Sequence, residues 1–180
     1  MNLDLSLLGW VHVLASLAAM AIGGVVLVRP KGTAVHRARG GIYVAAMGVT
    51  SLTALGIYRL GAFFFPHWLA VTALTVTAAG VAAAHFKVPR AGWMHVHLTC
   101  MVASFYLLIG GAVNEAFLRV NFLRRIAPDL NSSFAVGVTH LSVMLLFAVL
   151  IGYFNVAAAL RTHARRRTAL SGEAVQQGHS

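Results

Sequence analysis

Residues 5–32 read LSLLGWVHVLASLAAMAIGGVVLVRPKG. From Leu5 to Val28 there is no charged side chain, and Arg29-Pro30-Lys31-Gly32 then ends the run by charge and by proline. A helix needs about 20 mostly apolar residues to cross the hydrocarbon core of a bilayer. This run is long enough. No basic stretch precedes it and no small-residue cleavage site closes a short apolar core, so it reads as a first transmembrane helix and not as a signal peptide.

Four more runs of this kind follow, at roughly 40–64, 67–86, 93–118 and 134–160. Pro66 closes the second and the stretch KVPR (87–90) closes the third. The expected fold is therefore all-α: one integral-membrane bundle of five transmembrane helices over residues 1–160. A basic tail, 161–180, is expected to be disordered. The segment VNFLRRIAPDLNSS (120–133) is basic and partly apolar, and suggests a short interfacial helix.

Composition agrees. The chain has 180 residues, 59% hydrophobic and 10% charged, with mean hydropathy +0.79. Soluble domains carry about 25% charged residues. The net charge of +10 arises from 14 Lys and Arg against 4 Asp and Glu. These basic residues fall between apolar runs, so topology and anionic lipid account for them better than nucleic acid does. Arg29, Lys31, Arg37, Arg39, Lys87, Arg90, Arg161, Arg165, Arg166 and Arg167 lie on one side of the threaded bundle. Arg59, Arg119, Arg124 and Arg125 lie on the other. The positive-inside rule makes the first side cytoplasmic, with the N-terminus outside, the C-terminus inside, and the inner membrane as the expected location.

Nine histidines are unusual in so apolar a chain. His163 and His179 fall in the tail. The rest sort into two layers by helix rise, separated by about 20–25 Å. His12 and His140 lie about 10 Å in from the outer face, with His67 opening a span on that side. His36, His85, His95 and His97 lie at the cytoplasmic face. His67, His85 and His95 are close enough to the interface to be ordinary solvated helix ends. His36 falls just before the second span. Ionisable groups inside a membrane usually face the bundle interior and mark function, which singles out His12 and His140, although an interhelical hydrogen bond is the plainer alternative.

The stretch MHVHLTCM (94–101) has two histidines that an ideal helix turns about 200° apart. They cannot chelate one ion together. His97 shares a face with Met101 and Ser104 and is the expected inward member, with His95 facing headgroups or water.

Facing imidazoles suit b-type haem, and copper or zinc as alternatives. The candidate cofactor-binding residues are His12, His36, His97, His140, Met101 and Arg37, with the four histidines as the candidate metal ligands. His12 with His140 would serve one layer. His36 with His97 or His95 would serve the other, with Arg37, Arg39 and Arg90 near the haem propionates. Two stacked haems would form an electron path to a redox partner protein or a quinone. A subunit or assembly partner with structural histidines is the other open reading. Hydrolase chemistry has no support: GxSxG and HExxH are absent, and the acids are just Asp4, Glu115, Asp129 and Glu173. Glu115 stands four residues before Arg119, which fits a plain helical ion pair, with a proton-accepting role as the sharper alternative. The one cysteine, Cys100, allows no intrachain disulfide, and CxxCH is absent.

Two stretches carry a family resemblance: HRARGGIYVAAM (36–47) and HLTCMVASFYLLIGGAVNEAFLR (97–119). The pattern H-R-x-x-G-x-x-Y-V, then H-x-x-x-M-x-x-S-[YF] and a terminal Arg, resembles the bacterial membrane proteins grouped as domain of unknown function 2306, over residues 8–120. The resemblance implies a small polytopic bundle with His12, His36, Arg37, Gly40, Tyr43, His97, Met101, Ser104 and Arg119 at the motif positions. It implies no activity. The layout also resembles the two-haem cytochrome b type, a likeness of layout alone.

Overall fold

The computed structural model describes residues 6–57, 65–127 and 133–177, with side chains in the last helix described as far as Arg161. Arg59, Asp4, Asp129 and His179 lie outside these residues, as do the side chains of His163 and Glu173. Six helices follow in order: α1 (Leu7–Val28), α2 (Ala34–Leu55), α3 (Phe65–Phe86), α4 (Trp93–Arg119), α5 (Asn121–Ile126) and α6 (Phe134–Gln177). Among the described residues there is no strand.

Helix ends follow local chemistry. The Ser6 side chain accepts from the Gly9 N–H and starts α1. Thr33 does the same for α2, accepting from the His36 N–H at 3.0 Å. This cap corrects the expected start of the second span. His36 and Arg37 are in the first turn of α2, not in a loop before it. The helix also stops at Leu55, so residues 58–64 of the expected run lie outside the described residues. Pro66 has the opposite role to the one expected of it. It stands in the first turn of α3, where its missing N–H costs nothing, and so opens a helix rather than closing one.

The tail is a second correction. The helix does not stop at Arg161 but continues to Gln177, giving α6 a length of 44 residues. Residues 162–177 contain no proline and are rich in Ala, Arg and Gln, which favour helix. At 1.5 Å per residue α6 is about 66 Å long, twice what the hydrocarbon core requires. The short α5 forms where an interfacial helix was expected. Phe117 of α4, Ala127 and Val136 of α6 pack together beside it.

Leu7–Val28, Pro66–Phe86, Trp93–Arg119 and Phe134–Arg161 are long and apolar enough to cross a membrane. This is a helical protein with the build of a membrane protein. In α2, Arg37, Arg39, several glycines and hydroxyl residues dilute an otherwise apolar sequence.

Helix α1 packs on α2, α2 on α3, α3 on α4, and α4 returns to α1, closing a ring of four. Helix α6 packs outside the ring, against α4. Polarity is reversed relative to a soluble bundle. Leu14, Leu17, Ile42, Leu52, Leu145 and Val149 are exposed, whereas Ser51, Thr77 and Ser104 are buried. Lipid tails leave no hydrophobic drive between helices, so close packing and internal hydrogen bonds hold such a bundle together.

The core lies on the diagonal between α2 and α4. Ala19, Tyr43, Met47, Ala73 and Leu108 form it, with Met101 and Phe105 packed against it. The Ser104 hydroxyl donates to the Met101 carbonyl at 2.9 Å, which leaves its oxygen to accept from the Tyr43 hydroxyl at 2.8 Å. A double-mutant cycle with Tyr43→Phe and Ser104→Ala, read by thermal unfolding in detergent, should give a coupling of about 1 kcal/mol. A coupling of zero would mean that the bond does not hold the diagonal together.

Candidate functional site

The register of the Tyr43–Ser104 bond sets what faces what. Helices α2 and α4 run parallel across the diagonal, so two turns below this pair His36 on α2 stands level with His97 on α4. The two are electrostatically coupled: His97, Lys31 and Arg37 all depress the proton affinity of His36, after desolvation, which is the largest cause. The two residues of the expected inner pair thus stand at one level, within electrostatic reach of each other.

His97 has a defined tautomer. Its Nδ1 lies 2.9 Å from the carbonyl oxygen of Gly80 on α3. A carbonyl only accepts, so Nδ1 carries the hydrogen and Nε2 keeps the lone pair. That is how proteins commonly orient an imidazole for ligation. Gly80 also lets α3 approach α4 closely. A Cβ there would fall 2.9 Å from Cys100 Cβ and 3.0 Å from Met101 Sδ. Met101 therefore serves as packing beside His97. Sequence inspection missed Gly80, since a backbone acceptor leaves no residue signature.

His36 is half-buried, and among the described residues its ring nitrogens make no hydrogen bond. One turn above it, on the same inward face, half-buried Gly40 has nothing within 4 Å of where a Cβ would stand. Arg37 is exposed and donates from Nη1 to the Gly32 carbonyl at 3.3 Å.

Desolvation first, then the neighbouring His97, Lys31 and Arg37, hold His36 below the ordinary histidine value of 6.5. The unfolded chain then takes the proton more readily, so stability is full above about pH 6.5 and falls as pH drops through the lowered value. Wild type should lose more stability than His36→Gln between about pH 7.5 and about pH 5, in chemical denaturation followed by tryptophan fluorescence. Parallel losses in the two proteins would remove His36 as the cause.

The other histidines are engaged separately. His12 Nδ1 lies 3.0 Å from the Thr50 carbonyl and 3.1 Å from Thr53 Oγ1, both on α2. Glu115 and Arg119 of α4 act on it electrostatically. Arg119 and Glu115 form the expected i,i+4 ion pair. His140 Nε2 lies 2.9 Å from Asn114 Oδ1. Among the described residues no interaction joins His12 to His140, so the fold does not assemble the outer pair as it does the inner one.

Two expectations about interfacial histidines are revised. His67 is buried, 1% exposed, and not a solvated helix end. His95 does not simply face water: its Nδ1 meets Asn155 Oδ1 of α6 at 2.7 Å. The Asn155 amide donates in turn to Thr99 Oγ1 and the Ile151 carbonyl. His95 and His97 thus address α6 and α3, the two sides of α4, as their 200° separation requires. His85 stacks edge-on against Phe86 with ring centroids 4.7 Å apart.

Among the described residues no three His, Cys, Asp or Glu side chains converge as a metal-ion cluster would. No family model matches the chain, and neither a curated protein nor a solved structure matches it.

Proposed function

We propose that this chain is an inner-membrane protein that binds b-type haem at its basic end and passes electrons there, and that His36 and His97 would hold the haem. The observation that carries this reading is the pairing of two imidazoles across the α2–α4 diagonal, one of them held by the Gly80 carbonyl in the tautomer that leaves Nε2 free. The donor set fits the group. Haem brings four equatorial nitrogens and asks the protein for two axial ligands, whereas a structural zinc ion asks for four. That favours haem over bare copper or zinc. Arg37, Arg39 and Arg90 supply positive charge for propionates at that level.

When bound, haem would supply one-electron redox chemistry toward a partner protein or a quinone. The protein's own part would be to orient His97 through the Gly80 carbonyl and to keep His36 half-buried at the same level, below the Tyr43–Ser104 layer. The depressed proton affinity of His36 favours its neutral form, and the neutral imidazole is the ligating one. The reading uses one haem, because His12, His95 and His140 each bond to a neighbouring helix. These three are read as interhelical fasteners.

The same reading takes α2 as a fifth span, from about Gly40, with the N-terminus outside and the C-terminus in the cytoplasm. Its support is the position of α2 within the closed ring, the exposure of Ile42, Val49 and Leu52 where lipid would lie, and the excess of Lys and Arg at one end. The resemblance to the family of domain of unknown function 2306 enters on the same terms. Its motif positions His36, Tyr43, His97, Met101 and Ser104 fall on the facing stripes of α2 and α4.

One absorption spectrum tests the proposal. Protein purified from haem-replete cells should be red-brown, with a Soret band that sharpens on reduction. A colourless preparation would sink it.

A further inference from the structure

The two imidazoles at the basic end are not held alike. His97 is fixed on three sides. Its Nδ1 donates to the Gly80 carbonyl of α3 at 2.9 Å. One turn before it on the same face of α4 is Trp93, and the Lys87 ammonium lies 3.6 Å from the centroid of that ring. One turn after it is Met101, which lies against Gly80. The hydrogen bond and the two large neighbours leave the ring one orientation and one tautomer.

His36 has a backbone anchor and no ring anchor. Thr33 Oγ1 accepts from its backbone N–H at 3.0 Å, but among the described residues neither ring nitrogen makes a hydrogen bond. It stands in the first turn of α2, where the helix is held from one side only. One turn after it is Gly40, which offers no side chain to brace the ring. Before it comes the loop in which Gly32 takes a left-handed conformation, with φ of 81°. Arg37 spends its Nη1 on the Gly32 carbonyl and so braces the loop rather than the imidazole.

This asymmetry has a chemical consequence. A ligating histidine is commonly oriented by a carbonyl or carboxylate on its other nitrogen, and loss of such a partner typically costs about 10–100-fold in affinity for the metal. His97 has that partner and His36 lacks it. Of two such ligands on one iron, the unsupported one leaves first. A departing imidazole frees more space than two atoms need, so a diatomic ligand requires no cavity beyond the one the ring vacates.

Resting on the haem reading, we propose that His36 is the exchangeable member of the pair, and that a small neutral diatomic ligand of the carbon monoxide type takes its place opposite His97. In that exchange the bond from His36 to the iron breaks and one from the carbon of the ligand forms. No electron or proton moves, and His36 leaves as the neutral imidazole that it was. The site would thus bind a dissolved gas as well as carry an electron.

The test has one arm that needs no haem. In the full chain, labelled with nitrogen-15 in its histidine rings and freed of haem, His97 should show a single tautomer with the hydrogen on Nδ1. His36 should show averaged tautomers. His36→Gln and His97→Gln identify the two signals. A single fixed tautomer at both residues would overturn the proposal. In the second arm the haem-loaded protein is reduced and exposed to carbon monoxide. The wild type should bind it, with a shifted Soret band and a rate that saturates at the rate of His36 departure. His36→Ala should bind roughly tenfold to a hundredfold more tightly and without saturation, because the fraction of time His36 spends on the iron no longer reduces the affinity. A coloured, low-spin wild type that ignores saturating carbon monoxide would overturn this inference and leave the haem reading intact. A colourless protein would overturn both. The wild-type measurements decide the matter even where His36→Ala does not fold.

Discussion

His97→Ala should abolish the low-spin haem spectrum while the protein still folds. Of the histidines that meet a neighbouring helix, His97 is the one that also shares a level with a second, unbonded imidazole, His36. Removing it would take away one of the two residues proposed to hold haem and leave the Gly80 carbonyl without its donor. His36→Ala should abolish the same spectrum from the other side. His12→Ala and His140→Ala should keep the Soret band, because their bonds run to Thr50 and Asn114 and not to the inner pair. His97→Gln separates ligation from packing. Its amide can still donate toward Gly80, so fold and thermal stability should be kept while the spectrum is lost. A Soret band that survives in His97→Ala would move the site elsewhere.

Gly23→Val should be the most damaging single change to the bundle. A Cβ at Gly23 would fall 2.8 Å from Phe105 Cδ2 and Cε2, and 2.9 Å from Tyr43 Cε2. Neither ring can yield cheaply. Tyr43 is tied to Ser104 through its hydroxyl. Phe105 is packed edge-on against Tyr43 at 6.3 Å and against Phe147 at 5.8 Å. Overpacking of this kind typically costs about 1–3 kcal/mol, and a branched side chain adds two further methyl groups to the clash. Alanine at position 23 should cost less, since it recovers roughly 1 kcal/mol of helix propensity. Gly24 is the internal control, because nothing lies within 4 Å of a Cβ there. Gly24→Ala should be neutral or slightly stabilising, although it is the same substitution one residue away. Equal unfolding temperatures for the Gly23 and Gly24 variants would show that α1 does not approach the core as described.

Gly23 and Gly24 also mark the boundary between what a linear reading reaches and what it does not. Both are small residues in an apolar run, and nothing local tells them apart. The difference arises because α1 crosses α4 at Phe105, a contact between residues far apart in the chain. The same holds for Gly80, whose contribution to the site is a carbonyl that every residue type possesses.

What could be read in advance was whatever one helix settles alone. Long uncharged runs and their breakers place α1, α3, α4 and the apolar part of α6 to within a few residues, because spanning length and helix-ending chemistry are local. The opposite faces of His95 and His97 follow from 3.6 residues per turn. Errors came where local signals compete. Pro66 can end one helix or begin the next, and Thr33 draws α2 back over His36 by capping it. The tail from Arg161 is polar enough for disorder yet has no proline, and it stays helical through Gly172 as far as Gln177.

By itself, then, the sequence determined a helical protein with the build of a membrane bundle, the ends of most helices and the place of most histidines along them. These depend on chain length, hydropathy and helical periodicity. Tertiary structure decided which histidines meet. It set His36 level with His97, sent His12 to Thr50 and His140 to Asn114, and put Lys31 over Phe154. Depth along a helix is fixed by rise per residue, but rotation and neighbours are fixed only when small residues such as Gly23 and Gly80 let particular helices close on one another.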